Sequence, residues 1–182
     1  MKSLEKIKTA VLACLLSVFA FGSTVLAQGN PTLSDAEVAS AAVTANQIDI
    51  DFAAIAKEKS KDTQVLKFAE TMANDHRAVI EQAVALAKKL SVTPKDNAVT
   101  QQLKADAEKT KAQLRAKSGK AFDKAYIDNE VAYHTSVISA VKDLLIPETE
   151  NEELKELLMS VVPALEAHLE HAKMIQHNMS KK

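Results

Sequence analysis

The stretch DTQVLKFAETMANDHRAVIEQAVALAKKL, Asp62 to Leu90, carries a seam of Val65, Ala69, Met72, His76, Val79, Ala83, Leu86 and Leu90. Its spacings alternate between four and three, the repeat of a long helix that lays one stripe along a bundle axis. Seven of these eight residues are apolar. The eighth, His76, stands mid-helix, where burying an imidazole without a partner costs about 1–3 kcal/mol. The stripe predicts the fold, and its one polar member points to a site.

The flanking segments repeat the pattern. Upstream, Ser34-Asp35-Ala36-Glu37 reads as a capping box opening a first helix. That helix has the seam Val38, Ala41, Ala45, Ile48, Phe52, Ile55, with Lys57, Lys59 and Lys61 suiting its C-terminal end. Asp62 is the cap of the second helix. Downstream, Thr93-Pro94 predicts a helix start with proline at the first helical position. The segment to Lys117 is weakly amphipathic, with Val99, Leu103 and Leu114 as its main apolar points, and predicts a crossover outside the core. After the Ser118-Gly119 break, a helix from Lys120 to Leu145 carries Ile127, Glu130, His134, Val137, Val141 and Leu144, with Phe122, Tyr126 and Tyr133 alongside. Ile146-Pro147 is expected to stop it. Thr149-Glu150-Asn151-Glu152 reads as a second capping box. The last helix, to about Met179, has the seam Leu154, Leu157, Val161, Leu165, His168, Ala172, Ile175 and an internal Pro163 that predicts a kink.

The expected fold is all-α: a ferritin-like four-helix bundle with a helical crossover between helices 2 and 3, since short loops pair the first two and last two helices. Composition agrees. Three glycines and four prolines are too few for a many-stranded β fold, and 4% aromatics require an aliphatic, alanine-rich core. No 20–50-residue period repeats.

Residues 1–27 read as a cleavable signal peptide: Lys2, Lys6 and Lys8, an apolar run from Ala10 to Phe21, then Val25-Leu26-Ala27 at the cleavage position. The apolar run is short of the ~20 residues an uncleaved anchor needs. Val11-Leu12-Ala13-Cys14 resembles a lipobox but lies too early in the chain to serve as one. Residues 28–33 are a linker, 34–179 the bundle and 180–182 a tail. Cys14 is the only cysteine and leaves with the signal, so the mature chain has no disulfide. Losing three lysines and one glutamate from 23 basic and 24 acidic residues leaves a net charge of −3, a balance in which nothing suggests nucleic acid or an anionic surface, so no nucleic-acid partner is expected. The expected localisation is periplasmic, with no membrane span after cleavage and the oligomeric state open.

His76, His134 and His168 fall on the seams of three different helices, each near its middle. Glu130 precedes His134 by one turn, and Asp49 lies beside the first seam. These five are the candidate metal ligands. Imidazole-rich sets with a carboxylate suit zinc, copper or iron. Asp75 is expected to point away from His76, towards another helix or solvent. His171 is read as joining His168 or lying at the rim, and His177 as inert. A di-iron centre of the ferritin kind needs Glu-x-x-His pairs. None occurs, because Ala73, Val131 and Leu165 stand three residues before the three histidines. The competing reading is a polar core network, with Tyr126, Tyr133 and Glu130 as partners of the histidines.

Phe68-Ala69, Met72, Asp75-His76, Phe122-Asp123 with Tyr126, His134, and Pro163 with His168 together resemble a family of secreted bacterial proteins. That family is a ferritin-like domain of unknown function, often labelled "predicted outer membrane protein", and the resemblance runs from Ser34 to Met179. It implies a ferritin-like bundle and export, and supplies no activity. Family members tend to have glutamate where this chain has Asp49. The outer-membrane label does not fit a β-barrel, since no alternating ten-residue strands are present. Three functions compete: an exported metal-binding or metal-dependent protein, a non-catalytic envelope or stress protein with a hydrogen-bonded histidine core, and a pH-responsive switch.

Overall fold

The computed structural model describes residues 32–181, so the expected signal peptide, Cys14 and most of the linker lie outside the described residues. Helix α1 spans Asp35–Lys59, α2 Thr63–Lys89, α3 Ala98–Arg115, α4 Gly119–Ala140 and α5 Glu152–Ser180. Among the described residues there is no strand, and no helix is long and apolar enough to cross a membrane. The protein is an all-α bundle.

Local chemistry sets most boundaries. The Ser34 amide donates to the Glu37 carboxylate at 3.0 Å, closing the expected capping box. Asp62 accepts from the amides of Gln64 and Val65 at 2.8 and 3.3 Å, and α2 ends at Leu90 as its pattern predicts. Two boundaries differ. Helix α3 starts at Ala98, not at Pro94, because Asn97 and Thr100 satisfy each other's amides reciprocally at 3.0 and 2.8 Å. Asn151, rather than Thr149, caps α5 and accepts from the Leu154 amide at 3.0 Å. The Thr149 hydroxyl is instead bonded to the Leu145 carbonyl.

Pro147 does not stop the fourth helix outright. Proline lacks an N–H and crowds the carbonyl one turn back. The ladder widens to take it: Val141–Leu145 forms a π turn with the Ile146 amide bonded to the Val141 carbonyl, and one helical turn, Ile146–Glu148, follows. Helix α5 stays one element through Pro163.

The α3 crossover contributes more than its weak pattern predicts. Ala107 and Leu114 are buried with the core residues of α1, α2 and α4, and Leu103 packs against them. At the other end, Asp35 receives the amides of Glu150 and Asn151, and the Glu148 carboxylate that of Leu33, tying the α4–α5 turn to the start of α1.

Two apolar clusters fill the bundle. One holds Phe52, Phe68, Met72, Phe122, Tyr126, Ile127 and Ile175. The other holds Val38, Ala41, Val141, Leu145, Leu154, Leu158 and Leu165. On α2, α4 and α5 the histidines His76, His134 and His168 fall between the two.

Candidate metal centre

Each seam brings its polar residue to one level. The rings of His76, His134 and His168 form a near-equilateral triangle, with centroids 5.7, 5.3 and 5.5 Å apart. All three are buried, and so are Asp49 and Glu130, neither with any solvent exposure. The structure thus brings all five sequence-predicted ligands together. Ligand atoms of the three histidines lie within 4.8 Å of one another, as do those of Asp49, Glu130 and His134.

The proton positions follow from the partners. His76 Nδ1 donates to the Asn46 side-chain oxygen at 2.7 Å. Asn46 is itself oriented by donating its amide nitrogen to the Ala42 carbonyl at 2.8 Å. His134 Nδ1 donates to the Glu130 backbone carbonyl at 3.1 Å, and His168 Nε2 to the Asp75 carboxylate at 2.9 Å. A neutral imidazole has one N–H, so each ring keeps a lone pair on its other nitrogen. Those atoms, His76 Nε2, His134 Nε2 and His168 Nδ1, are buried and have no hydrogen-bond partner.

The Asp49 carboxylate faces the first two. Its Oδ2 lies 3.3 Å from His76 Nε2 and 3.5 Å from His134 Nε2, and neither of its oxygens has a hydrogen-bond donor. Glu130 is alike: both oxygens are orphaned, with Oε2 3.5 Å from His134 Nδ1. The pocket is electron-rich and lacks a positive charge. Burial pushes the Asp49 carboxyl up to about 8. Burial, then Asp49, raises Glu130 well above the usual carboxylate range. Burial, then the neighbouring His134 and His168, holds His76 down at about 3, and burial with His168 holds His134 at about 4. The environment therefore keeps His76 and His134 neutral, the form that binds metal.

The donor set passes the test a cation imposes. Metal-bound histidines almost always fix their second ring nitrogen to a carboxylate, carbonyl or amide. All three do so here, and their free nitrogens converge. Sequence reasoning missed Asn46, although it lies one turn before Asp49 on the same face. It expected Asp75 to turn away from His76, and Asp75 does, reaching His168 on α5 while half-exposed. The tyrosines are not the partners expected of them. Tyr133 donates to the Ala45 carbonyl at 2.8 Å, and the Tyr126 hydroxyl has no partner. His171 is packed edge-on against Phe68 with centroids 5.2 Å apart, and His177 is exposed.

Residues 22–175 match the family described as "Domain of unknown function (DUF4142)". The chain belongs to that family. No curated protein matches it. Among solved structures, the chain is similar to one titled "CopM in the Cu(II)-bound form", with a TM-score of 0.60 and 17% identity, covering 81% of this chain and 99% of that one. At that identity the likeness is one of fold.

Proposed function

We propose that this is an exported protein of the cell envelope that holds one transition-metal ion, copper first and zinc second, between His76, His134, His168 and Asp49. The observation that carries the reading is a cluster of three buried imidazoles, each with one nitrogen that has no hydrogen-bond partner, two of those nitrogens lying within 3.5 Å of an Asp49 carboxylate that accepts no hydrogen bond. A protonated Asp49 carboxyl satisfies at most one of these nitrogens, and a finished hydrogen-bond network would leave no other bare, since buried polar groups are almost always paired. That argues against a purely structural histidine core. Three imidazoles and one carboxylate form a borderline donor set, for which divalent copper binds more tightly than zinc. The Cu(II)-bound state of the similar structure favours the same order.

In this reading Asn46, the Glu130 carbonyl and Asp75 orient the ligands, and the Glu130 carboxylate balances charge behind His134. The ferritin-like arrangement supplies the scaffold, and residues 1–27 direct the chain to the periplasm. Mature protein dialysed against Cu(II) and washed should retain one copper per chain. The His76→Ala/His168→Ala variant should retain far less while keeping its helical circular dichroism. Sub-stoichiometric metal in both proteins would end the reading.

A further inference from the structure

The histidine layer separates unlike halves of the bundle. On one side Phe52, Phe68, Met72, Phe122 and Tyr126 close the core almost completely. On the other the seam of α2 opens: Val79, Ala83, Leu86 and Leu90 are only half-buried. A cavity of about 400 Å³ lies there, walled by aliphatic side chains such as Leu86, Leu144, Leu158 and Val161. His76, His134, His168 and Asp49, with their unpartnered polar atoms, form part of its lining.

The lining runs from His76 to Leu90 on α2 and from His168 back to Leu154 on α5. At a rise of ~1.5 Å per residue each stretch spans about 20 Å. Along that length the walls are mostly aliphatic, which suits an extended alkyl chain. The far end reaches the half-buried Leu90, Val92 and Val99 around the α2–α3 loop. The π turn Val141–Leu145 contributes Val141, Leu144 and Leu145 to the wall, and π turns inside α-helices are frequent at functional sites. Ligand pockets between bundle helices have this composition: mostly apolar walls and a few convergent polar groups. Water does not suit such walls, which offer it too few partners.

We propose that the cavity binds a medium-chain aliphatic carboxylate, its chain lying between α2 and α5 and its head at the histidine layer. The inference rests on the metal reading, because without a cation a carboxylate head would face Asp49 and three imidazole lone pairs. Apolar walls supply chain affinity in proportion to buried methylene area.

The test titrates dodecanoate into copper-loaded mature protein by calorimetry while the Cu(II) paramagnetic resonance spectrum is recorded. One dodecanoate per chain should bind, with a changed copper spectrum, and acetate should bind at least ~100-fold more weakly. Ala83→Trp and Val161→Trp, which fill the chain's path, should weaken dodecanoate at least ~10-fold and leave copper content unchanged. If either variant melts below working temperature, Ala83→Leu and Val161→Phe carry the same expectation. Copper-loaded protein that takes up no dodecanoate, or binds it equally well in the filled variants, overturns the inference and leaves the metal reading standing. A chain that takes up no copper overturns both.

Discussion

The Asp49 carboxylate has no solvent exposure, and neither oxygen accepts a hydrogen bond. Burial lifts its folded value to about 8 from an ordinary 3.8, so between these pH values the folded chain holds a proton the unfolded chain has released. Metal-free stability from this group is present below the ordinary value and is lost as pH rises towards 8. Asp49→Asn should therefore raise the metal-free melting temperature at pH 7.5, by a margin that shrinks as pH falls towards 4, and should weaken copper binding. A variant less stable than the parent across that range would contradict the assignment. Asn46→Ala strands the Nδ1 proton of His76. It should cost about 1–3 kcal/mol in denaturant melts and about tenfold or more in copper affinity. At this scale the sequence was half legible. Seam spacing found the histidines, because burial follows the helical repeat. Asn46 and Asp75 were not found as partners, because what they bond depends on how neighbouring helices are rotated.

Helix α2 carries both halves of the bundle on one stripe. Met72, with no exposure, sits where the core is closed, while Leu86 is half-buried beside the cavity. Met72→Ala should cost about 2–5 kcal/mol, and Leu86→Ala about 1 kcal/mol or less, because removing its methylenes enlarges a space that already exists. Equal losses in chemical denaturation would show that the two halves pack alike. The sequence could not reveal this difference, since Val79 to Leu90 is as apolar as Val65 to Met72. Helix ends were legible where one cap was available, as at Ser34 and Asp62, and misread where two competed. Pro94 lost to the Asn97–Thr100 pair, and Thr149 to Asn151. Pro147 was absorbed by a π turn, an adjustment that the rule for proline alone does not foresee.

Across the whole molecule, four seams of the same period cross one polar layer, and that layer was the most legible feature of the chain. Three histidines on three helices could meet only if the helices paired antiparallel at matching depth, and the short turns at 60–62 and 149–151 enforce that pairing. The crossover α3 was underrated because its small apolar residues, such as Ala107, bury little area each yet close the side of α1. Everything functional then depends on whether the electron-rich centre receives a cation. Diffraction from copper-soaked crystals, recorded on both sides of the copper absorption edge, tests this directly. One dominant anomalous peak per chain is expected among His76 Nε2, His134 Nε2 and His168 Nδ1, adjoining Asp49. A centre without a peak, or copper only at exposed positions such as His177, would contradict it.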